Sequence, residues 1–282
     1  ASRLTRRIIT PLNSVAESLR RVASGDLEAR ARGGDTSMTE AATLVSDFNS
    51  MAERLSRMSE NRVFWNAAIA HELRTPMTIL RGRLQGIAEG VFEPGPEQFN
   101  SMLTQLEGLT RIIEDLRVVS LAESGHLDLR LQRSDVSVQV AAVVEAMSEA
   151  LTESGFSVTL DARSSLADCD PARIRQAVLA LLENARRHAI PCPLRVHVTL
   201  AEGHCTVTVE DGGPGVPDDL RDSIFEAFQR TDVSRSRQSG GSGLGLAVVR
   251  AIAVAHHGTA QCRPTERGGS AFELRWPVHA RR

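Results

Sequence analysis

Apolar residues recur along the first half of the chain with a regular beat. Ile8, Leu12, Val15, Leu19 and Val22 are separated by steps of 4, 3, 4 and 3. After a polar connector broken by Gly25 and Gly33-Gly34, the same steps separate Leu44, Phe48, Met51, Leu55 and Met58. Leu73, Met77, Leu80, Leu84, Ile87 and Val91 form a third run. Phe99, Met102, Leu106, Leu109, Ile113 and Leu116 form a fourth, beyond the turn Glu93-Pro94-Gly95-Pro96. A sustained 3.5-residue period gives each of four predicted helices one narrow apolar seam, which needs a partner helix. Two helices joined by a short turn supply half a bundle. A homodimer completes the four-helix core; a monomeric helical array is the alternative.

The texture changes after residue 127. Leu127–Leu131 alternates as a half-buried strand does, and Ser157–Leu160 continues in that style. Asp170-Pro171 is an N-cap followed by proline at the first helical position, opening a helix predicted through His188. Val196–Leu200 and Thr206–Glu210 read as a hairpin across Glu202-Gly203, Gly245–His256 as a helix and Ala271–Trp276 as a last strand. Strands and helices mix without strict βαβ alternation, which predicts an α/β sandwich, one sheet backed by helices. The expected fold class is therefore multi-domain: an all-α, coiled-coil region that becomes a four-helix bundle by dimerisation, then an α/β sandwich. A length of 282 residues accommodates two such parts.

Composition removes several chemistries. The chain has 33 basic and 35 acidic residues, a formal charge of −2, which argues against a nucleic-acid-coating protein. Every basic residue is Arg. Without Lys there is no Walker A loop, no protein-kinase phosphate clamp and no Schiff base. Cys169, Cys192, Cys205 and Cys262 form no CxxC pair, so neither a zinc knuckle nor a redox motif is present, and a reduced cytosolic setting fits. No apolar run is long enough to span a membrane. Arg3, Arg6 and Arg7, ahead of the first helix, suit either the cytoplasmic flank of a transmembrane segment or a solvated chain.

Three features of the second half belong together: Glu183-Asn184-Ala185-Arg186-Arg187-His188 at a helix end, Asp211-Gly-Gly213-Pro-Gly215 after a strand, and Gly240-Gly241-Ser242-Gly243-Leu244-Gly245-Leu246 before a helix. A glycine loop opening a helix presents backbone N–H groups at the positive end of the dipole, a cradle for phosphate. A dinucleotide-binding G-x-G-x-x-G reading fails, because its last Gly would fall on Leu246 and no strand precedes the loop. What remains is a nucleotide site. Asp211 can accept from an adenine amino group, Gly213 and Gly215 let the backbone approach the base, and the Asn184 amide oxygen is a hard ligand suited to Mg²⁺ between phosphates.

Asn184, the DxGxG at 211–215, Phe225-Glu-Ala-Phe228 and the GxGLGL at 241–246 resemble the N, G1, F and G2 boxes of the GHKL ATPase fold. They resemble more closely the catalytic domain of bacterial sensor histidine kinases. The resemblance implies ATP and Mg²⁺ as ligands and a lid at about 229–242. It implies an ATP site drawn from Asn184, Arg187, His188, Asp211, Gly213, Gly215, Phe228, Arg230, Gly241, Gly243, Leu244, Gly245 and Leu246, with Asn184 on the metal. Arg187 can equally be a solvated helix-end residue. One departure is Ala180, four residues before Asn184, where the family commonly has a second polar residue and hydrolytic relatives a water-activating Glu. Ala180 argues against simple ATP hydrolysis and thins the metal shell.

His71-Glu72-Leu73-Arg74-Thr75-Pro76 lies in the third apolar run; an HExxH zinc site is excluded because Thr occupies position 75. His71 is off the Leu73-Met77-Leu80 seam and is expected to face solvent. HELRTP resembles the H-box of the dimerisation and phosphotransfer domain of the same family. That implies His71 as phospho-acceptor, Glu72 as its general base and Thr75 as the residue orienting water for dephosphorylation of a partner regulator. Pro76 invites a kink. Pro11, Gly25-Asp26-Leu27 and Phe48-Asn49-Ser50-Met51 resemble a HAMP linker, although the usual Asp-Glu pair is replaced around Met38-Thr39-Glu40. The resemblance divides the chain into a HAMP-like linker at 1–56, a phosphotransfer domain at 57–122 and an ATP-binding domain at 127–282. It implies a homodimeric, protein-histidine kinase that passes phosphate to the receiver domain of a response regulator. Such a chain would be the cytoplasmic portion of a bacterial inner-membrane protein, joined to the membrane through a transmembrane segment absent from this chain. A regulator phosphatase with vestigial kinase activity and a non-enzymatic dimeric scaffold are the alternatives.

Overall fold

The computed structural model describes residues 9–33, 39–228, 242–265 and 268–279, with the side chains of 39 and 61–63 also left aside. The chain divides into two compact units, Ala1–His71 and Glu72–Arg282.

In the first unit, α1 (Thr10–Ala23) starts on Pro11 and ends at Ser24, whose N–H returns to the Arg20 carbonyl at 3.0 Å. Gly25 follows with φ +101°, a left-handed turn suited to glycine. The connector then runs beside α2 (Thr39–Ala88). Asn49 clasps it, its Oδ1 accepting from the Ala31 N–H at 2.8 Å and its Nδ2 donating to the Ala31 carbonyl at 3.0 Å. Ala31, Val45, Phe48 and Ala52 form the core, with Val15 and Val22 against them.

Two expectations change here. The second and third apolar runs are one helix, because no Gly or Pro falls between Met58 and Leu73, and Pro76 leaves the helix unbroken. The expected seam also splits. Phe48 is buried, whereas Leu44, Met51, Leu55 and Met58 stay exposed, Met58 at 69%. The helix uses Val45, Phe48 and Ala52 toward its own neighbour and leaves the other half of the apolar stripe outward.

In the second unit, the end of α2 turns over Gly86, whose carbonyl accepts from the Val91 and Phe92 N–H groups at 2.8 and 3.0 Å. A Cβ at Gly86 would overlap the Phe92 ring. Pro96 then starts α3 (Pro96–Glu123). Met77, Leu84, Phe99, Leu103, Leu106 and Ile113 are exposed along this hairpin.

The segment 127–131, expected as a strand, has no ladder partner, and Arg130 N–H donates instead to the Asp170 carboxylate at 3.0 Å. The strand begins one step later, β1 (Gln132–Asp135), antiparallel to β3 (Leu166–Cys169). Between them lie α4 (Val136–Glu153), capped by Asp135, and β2 (Ser157–Ala162). Then follow α5 (Pro171–His188), β4 (Pro193–Ala201), β5 (His204–Glu210), α6 (Gly245–Ala255), β6 (Thr259–Pro264) and β7 (Ser270–Pro277). The main sheet has the order β2-β4-β5-β7-β6, with β2 and β4 parallel and the other pairs antiparallel.

Alternation along the strands puts Leu194, Val196, Val207, Val209, Phe272 and Leu274 on the buried face, where Leu151, Ile174, Leu181 and Ile252 of the helices join them. This is the α/β sandwich that the patterning predicts. His256 ties two helices together. Its Nδ1 donates to the Ile252 carbonyl at 2.8 Å and its Nε2 accepts from the Asp170 N–H at 3.0 Å, which fixes the neutral ring.

Candidate functional site

Asp170 starts the helix that carries one side of the site. Its carboxylate accepts from the Ala172 and Arg173 N–H groups at 3.0 and 3.2 Å. Ile174, Ala177, Val178, Leu181, Leu182 and Ala185 bury one face of α5. Four-residue spacing then stacks Ala180 and Asn184 on one stripe. Asn184 is half-buried, Ala180 is buried, and His188 is exposed at the helix end.

Both glycine loops reach this helix. A Cβ at Gly213 would lie 3.2 Å from the Ala189 Cα, and one at Gly245 would lie 3.8 Å from the Ala180 carbonyl oxygen. Phe228, buried and left-handed at φ +63°, donates its N–H to the Gly243 carbonyl at 3.0 Å, so the segment before the second loop is fastened to it. Leu244 is buried and Leu246 half-buried, with Gly245 opening α6. The structure thus sets Gly213 beside the end of the helix that carries Asn184, Arg187 and His188, Gly245 beside Ala180 of the same helix, and Phe228 on Gly243. Arg230, Gly241 and the rest of the expected lid up to position 241 lie outside the described residues.

Asp211 stands at the end of β5. Its Oδ1 accepts from the Gly213 N–H at 2.8 Å and the Ser270 N–H at 3.3 Å. Burial raises its pKa above the ordinary carboxylate value, and the two backbone bonds pull the other way. Gly215 sits at φ +77°, and a Cβ at Gly269 would collide with the Asp211 carbonyl. A partly desolvated carboxylate in a loop with few side chains is suited to accept from the edge of a planar base. The open backbone N–H groups of α6 suit phosphate. A cavity of about 260 Å³ borders the loop, lined by Gly215, Val216, Arg221, Gly268 and Gly269 among others; neither Asp211 nor Asn184 lines it.

Arg187 is not simply a solvated helix end. Its Nε donates to Glu183 Oε2 at 3.2 Å, and Arg186 and Arg111 also reach that carboxylate, at 3.1 and 3.6 Å. Burial lowers the Arg187 pKa, with Glu183 opposing and Arg111 and Arg186 adding to the depression.

His71 and Thr75 are exposed and Glu72 half-buried on consecutive turns of α2. Ser270 and Gly269 were missed from sequence, although Gly268-Gly269-Ser270 directly before the last strand was a signal of close backbone approach. Cys192, whose Sγ accepts from the Gly212 N–H at 3.1 Å, carried no signal at all.

Residues 169–280 match the family of histidine kinase-, DNA gyrase B- and HSP90-like ATPases, 62–125 the His Kinase A (phospho-acceptor) domain and 3–57 the HAMP domain. The signal transduction histidine-protein kinase BaeS of Escherichia coli is 32% identical over 281 residues, covering 98% of this chain and 59% of that protein. The chain therefore spans little more than half of that relative. The structure of the Acinetobacter baumannii histidine kinase AdeS superposes with a TM-score of 0.62 at 37% identity, over 74% of this chain and 98% of that one. Full-length ShkA in complex with AMPPNP superposes with a TM-score of 0.56 at 26% identity, over 76% of this chain and 46% of that one. Among the described residues, no helix is long and apolar enough to cross a membrane.

Proposed function

The chain belongs to the histidine kinase family, and from that premise we propose that it uses ATP to phosphorylate His71 and passes the phosphoryl group to an Asp of a response-regulator receiver domain. The observation that supports the reading is the approach of both glycine loops, one of them opened by Asp211, to the helix that carries Asn184, in a chain that also displays an exposed His71. We assign residues 1–56 to a HAMP-like linker, 57–122 to the phosphotransfer domain and 127–282 to the ATP-binding domain.

In this reading Asp211 accepts from the adenine amino group, while Gly213 and Gly215 leave room for the ring. The first turn of α6, with Gly243, Leu244, Gly245 and Leu246, faces the phosphates, joined by Arg187, His188 and, from the undescribed segment, Arg230 and Gly241. The Asn184 side-chain oxygen would hold Mg²⁺, whose charge offsets that of the phosphates. One ring nitrogen of His71 attacks the γ-phosphorus in line. The N–P bond forms as the bond to the β-phosphate oxygen breaks, and ADP leaves. Glu72 takes the proton from the other ring nitrogen, which limits the charge on the imidazolium. Thr75 orients water when the phosphorylated regulator is hydrolysed.

The exposed seam residues support a homodimer: Leu12, Leu19, Leu44, Met51, Leu55 and Met58 in the first unit, and Met77, Leu84, Leu106 and Ile113 in the second. The HAMP-like segment supports a place on the cytoplasmic side of a bacterial inner membrane, reached through a transmembrane segment outside this chain. A second reading, a regulator phosphatase with vestigial kinase activity, is favoured by one observation: Ala180 is buried against Gly245 and its methyl side chain offers the metal no oxygen.

Incubation with γ-labelled Mg·ATP tests the proposal. The expected label is lost in acid and retained in base. No label despite demonstrated nucleotide binding would favour the phosphatase, and no nucleotide binding would favour a scaffold.

A further inference from the structure

Glu183 precedes Asn184 on α5 and is turned inward, its side chain only 14% exposed. Three guanidiniums converge on its carboxylate. Arg187 Nε and Arg186 Nη2 meet Oε2 at 3.2 and 3.1 Å, and Arg111 Nη1, from α3, approaches Oε1 at 3.6 Å. Burial alone would raise the Glu183 pKa, yet the three arginines together hold it below the ordinary value. Arg186 Nε is buried without a hydrogen-bond partner among the described residues. Three guanidiniums thus share the Glu183 carboxylate, with Asp115 of α3 also acting on Arg111 and Arg187, at the helix end where the nucleotide phosphates are assigned.

The contact with Arg111 is one of three that seat α5 on α3. Gln176 Nε2 donates to Asp115 Oδ1 at 3.1 Å, and Arg173 Nη1 to Glu114 Oε1 at 3.2 Å. Arg111, Glu114 and Asp115 share one face of α3, at helical spacing. Glu183 therefore serves two masters: a candidate phosphate ligand on its own helix and a cation on the phosphotransfer hairpin.

We propose that Glu183 is a positioning residue that competes with the nucleotide triphosphate for Arg187 and couples nucleotide occupancy to the seating of α5 on α3 through Arg111. The inference rests on reading the site as a nucleotide site. A triphosphate carries several charges against one on Glu183, so it draws Arg187 away. Glu183 is then left to Arg186 and Arg111, and the bond to α3 tightens. Reciprocity requires the converse: loss of Arg111 leaves Glu183 more dependent on Arg187 and weakens triphosphate binding.

The test is a double-mutant cycle on the full chain, reading the affinity for Mg·AMPPNP and for adenosine, which has no phosphate. Glu183→Gln is expected to bind Mg·AMPPNP about fivefold tighter, and Arg111→Gln about fivefold weaker, the lower end of usual coupling factors. In the double variant the Arg111 effect disappears, and adenosine affinity is the same in all four proteins. A general folding defect would shift adenosine as well, and would overturn the proposal. So would unchanged or weaker AMPPNP binding by Glu183→Gln. An Arg111 effect of equal size in both backgrounds would mean that Arg111 meets the phosphates directly, with no role for Glu183. A wild-type chain that binds neither AMPPNP nor adenosine would remove the nucleotide site itself, an outcome distinct from every other.

Discussion

The α/β sandwich and the helical segments use their apolar residues in opposite ways. In the sandwich, alternate residues of β4, β5 and β7 meet the helices of the same chain, so Leu194, Val207 and Leu274 are fully buried by one copy of the sequence. In the helical segments, the stripe formed by Leu44, Met51, Leu55 and Met58 remains in water after Phe48 and Ala52 have found their neighbours. The contrast assigns different dependences to the two chemistries. Under the proposed function, a nucleotide site built on the sandwich would need only one chain, whereas a bundle that displays His71 would need two.

Charge placed on the outward stripe breaks this comparison most strongly. Leu55→Asp combined with Met58→Asp, present in both protomers, should cost the dimer about 6 kcal/mol or more, over ten-thousandfold in dissociation constant, from side-chain burial alone. Light scattering would then find monomers whose AMPPNP affinity is unchanged; parallel loss of nucleotide binding would show that the sandwich is not self-sufficient.

The reverse separation comes from Asp211→Asn. Replacing an acceptor-only carboxylate that already serves two backbone N–H groups should weaken adenine-nucleotide binding by about 2 kcal/mol, some thirtyfold, with the dimer intact. Calorimetric titration showing no change would move the base elsewhere.

The pH dependence of the sandwich follows from His256, whose pKa is lowered first by burial, against the bond to Ile252. A ring held neutral in the fold binds a proton more readily once unfolded. Its contribution is therefore fully present above the unfolded value of about 6.5 and is lost as the pH falls below it. Melting temperatures measured between pH 7.5 and 5.5 should decline more steeply for the wild type than for His256→Gln. Equal slopes would refute the assignment. The smallest effect is expected from Ala180→Asn, which adds an oxygen near Asn184 and should strengthen Mg·ATP binding by about 1 kcal/mol; weaker binding would mean that the buried site beside Gly245 has no room for the amide.

Much of this arrangement was legible locally. Asp170-Pro171 announced α5. Glu202-Gly203 announced its hairpin, and both residues are left-handed, at φ +51° and +75°. The glycine loops pointed to a phosphate-binding edge because loop and helix N-terminus are contiguous in sequence. Less was legible where partners are remote. Leu127–Leu131 alternates like a strand but has the Asp170 carboxylate instead of a ladder. The β-branched opening Val136-Ser-Val-Gln-Val140 concealed α4, whose buried Val136, Val140, Val143 and Met147 nevertheless keep a helical period. The role of Glu183 carries no signal in sequence, because its partner Arg111 comes from another helix and only packing reveals it. The apolar runs were legible as seams, but not which half of each seam the chain would cover by itself.

The most direct measurement is to map the phosphate. After reaction with sub-saturating Mg·ATP, digestion and mass spectrometry under alkaline conditions should find a single base-stable, acid-labile phosphoryl group on the peptide containing His71, absent from His71→Gln and strongly diminished in Asp211→Asn. Phosphate on any other residue, or undiminished on the His71 peptide of Asp211→Asn, would contradict the account.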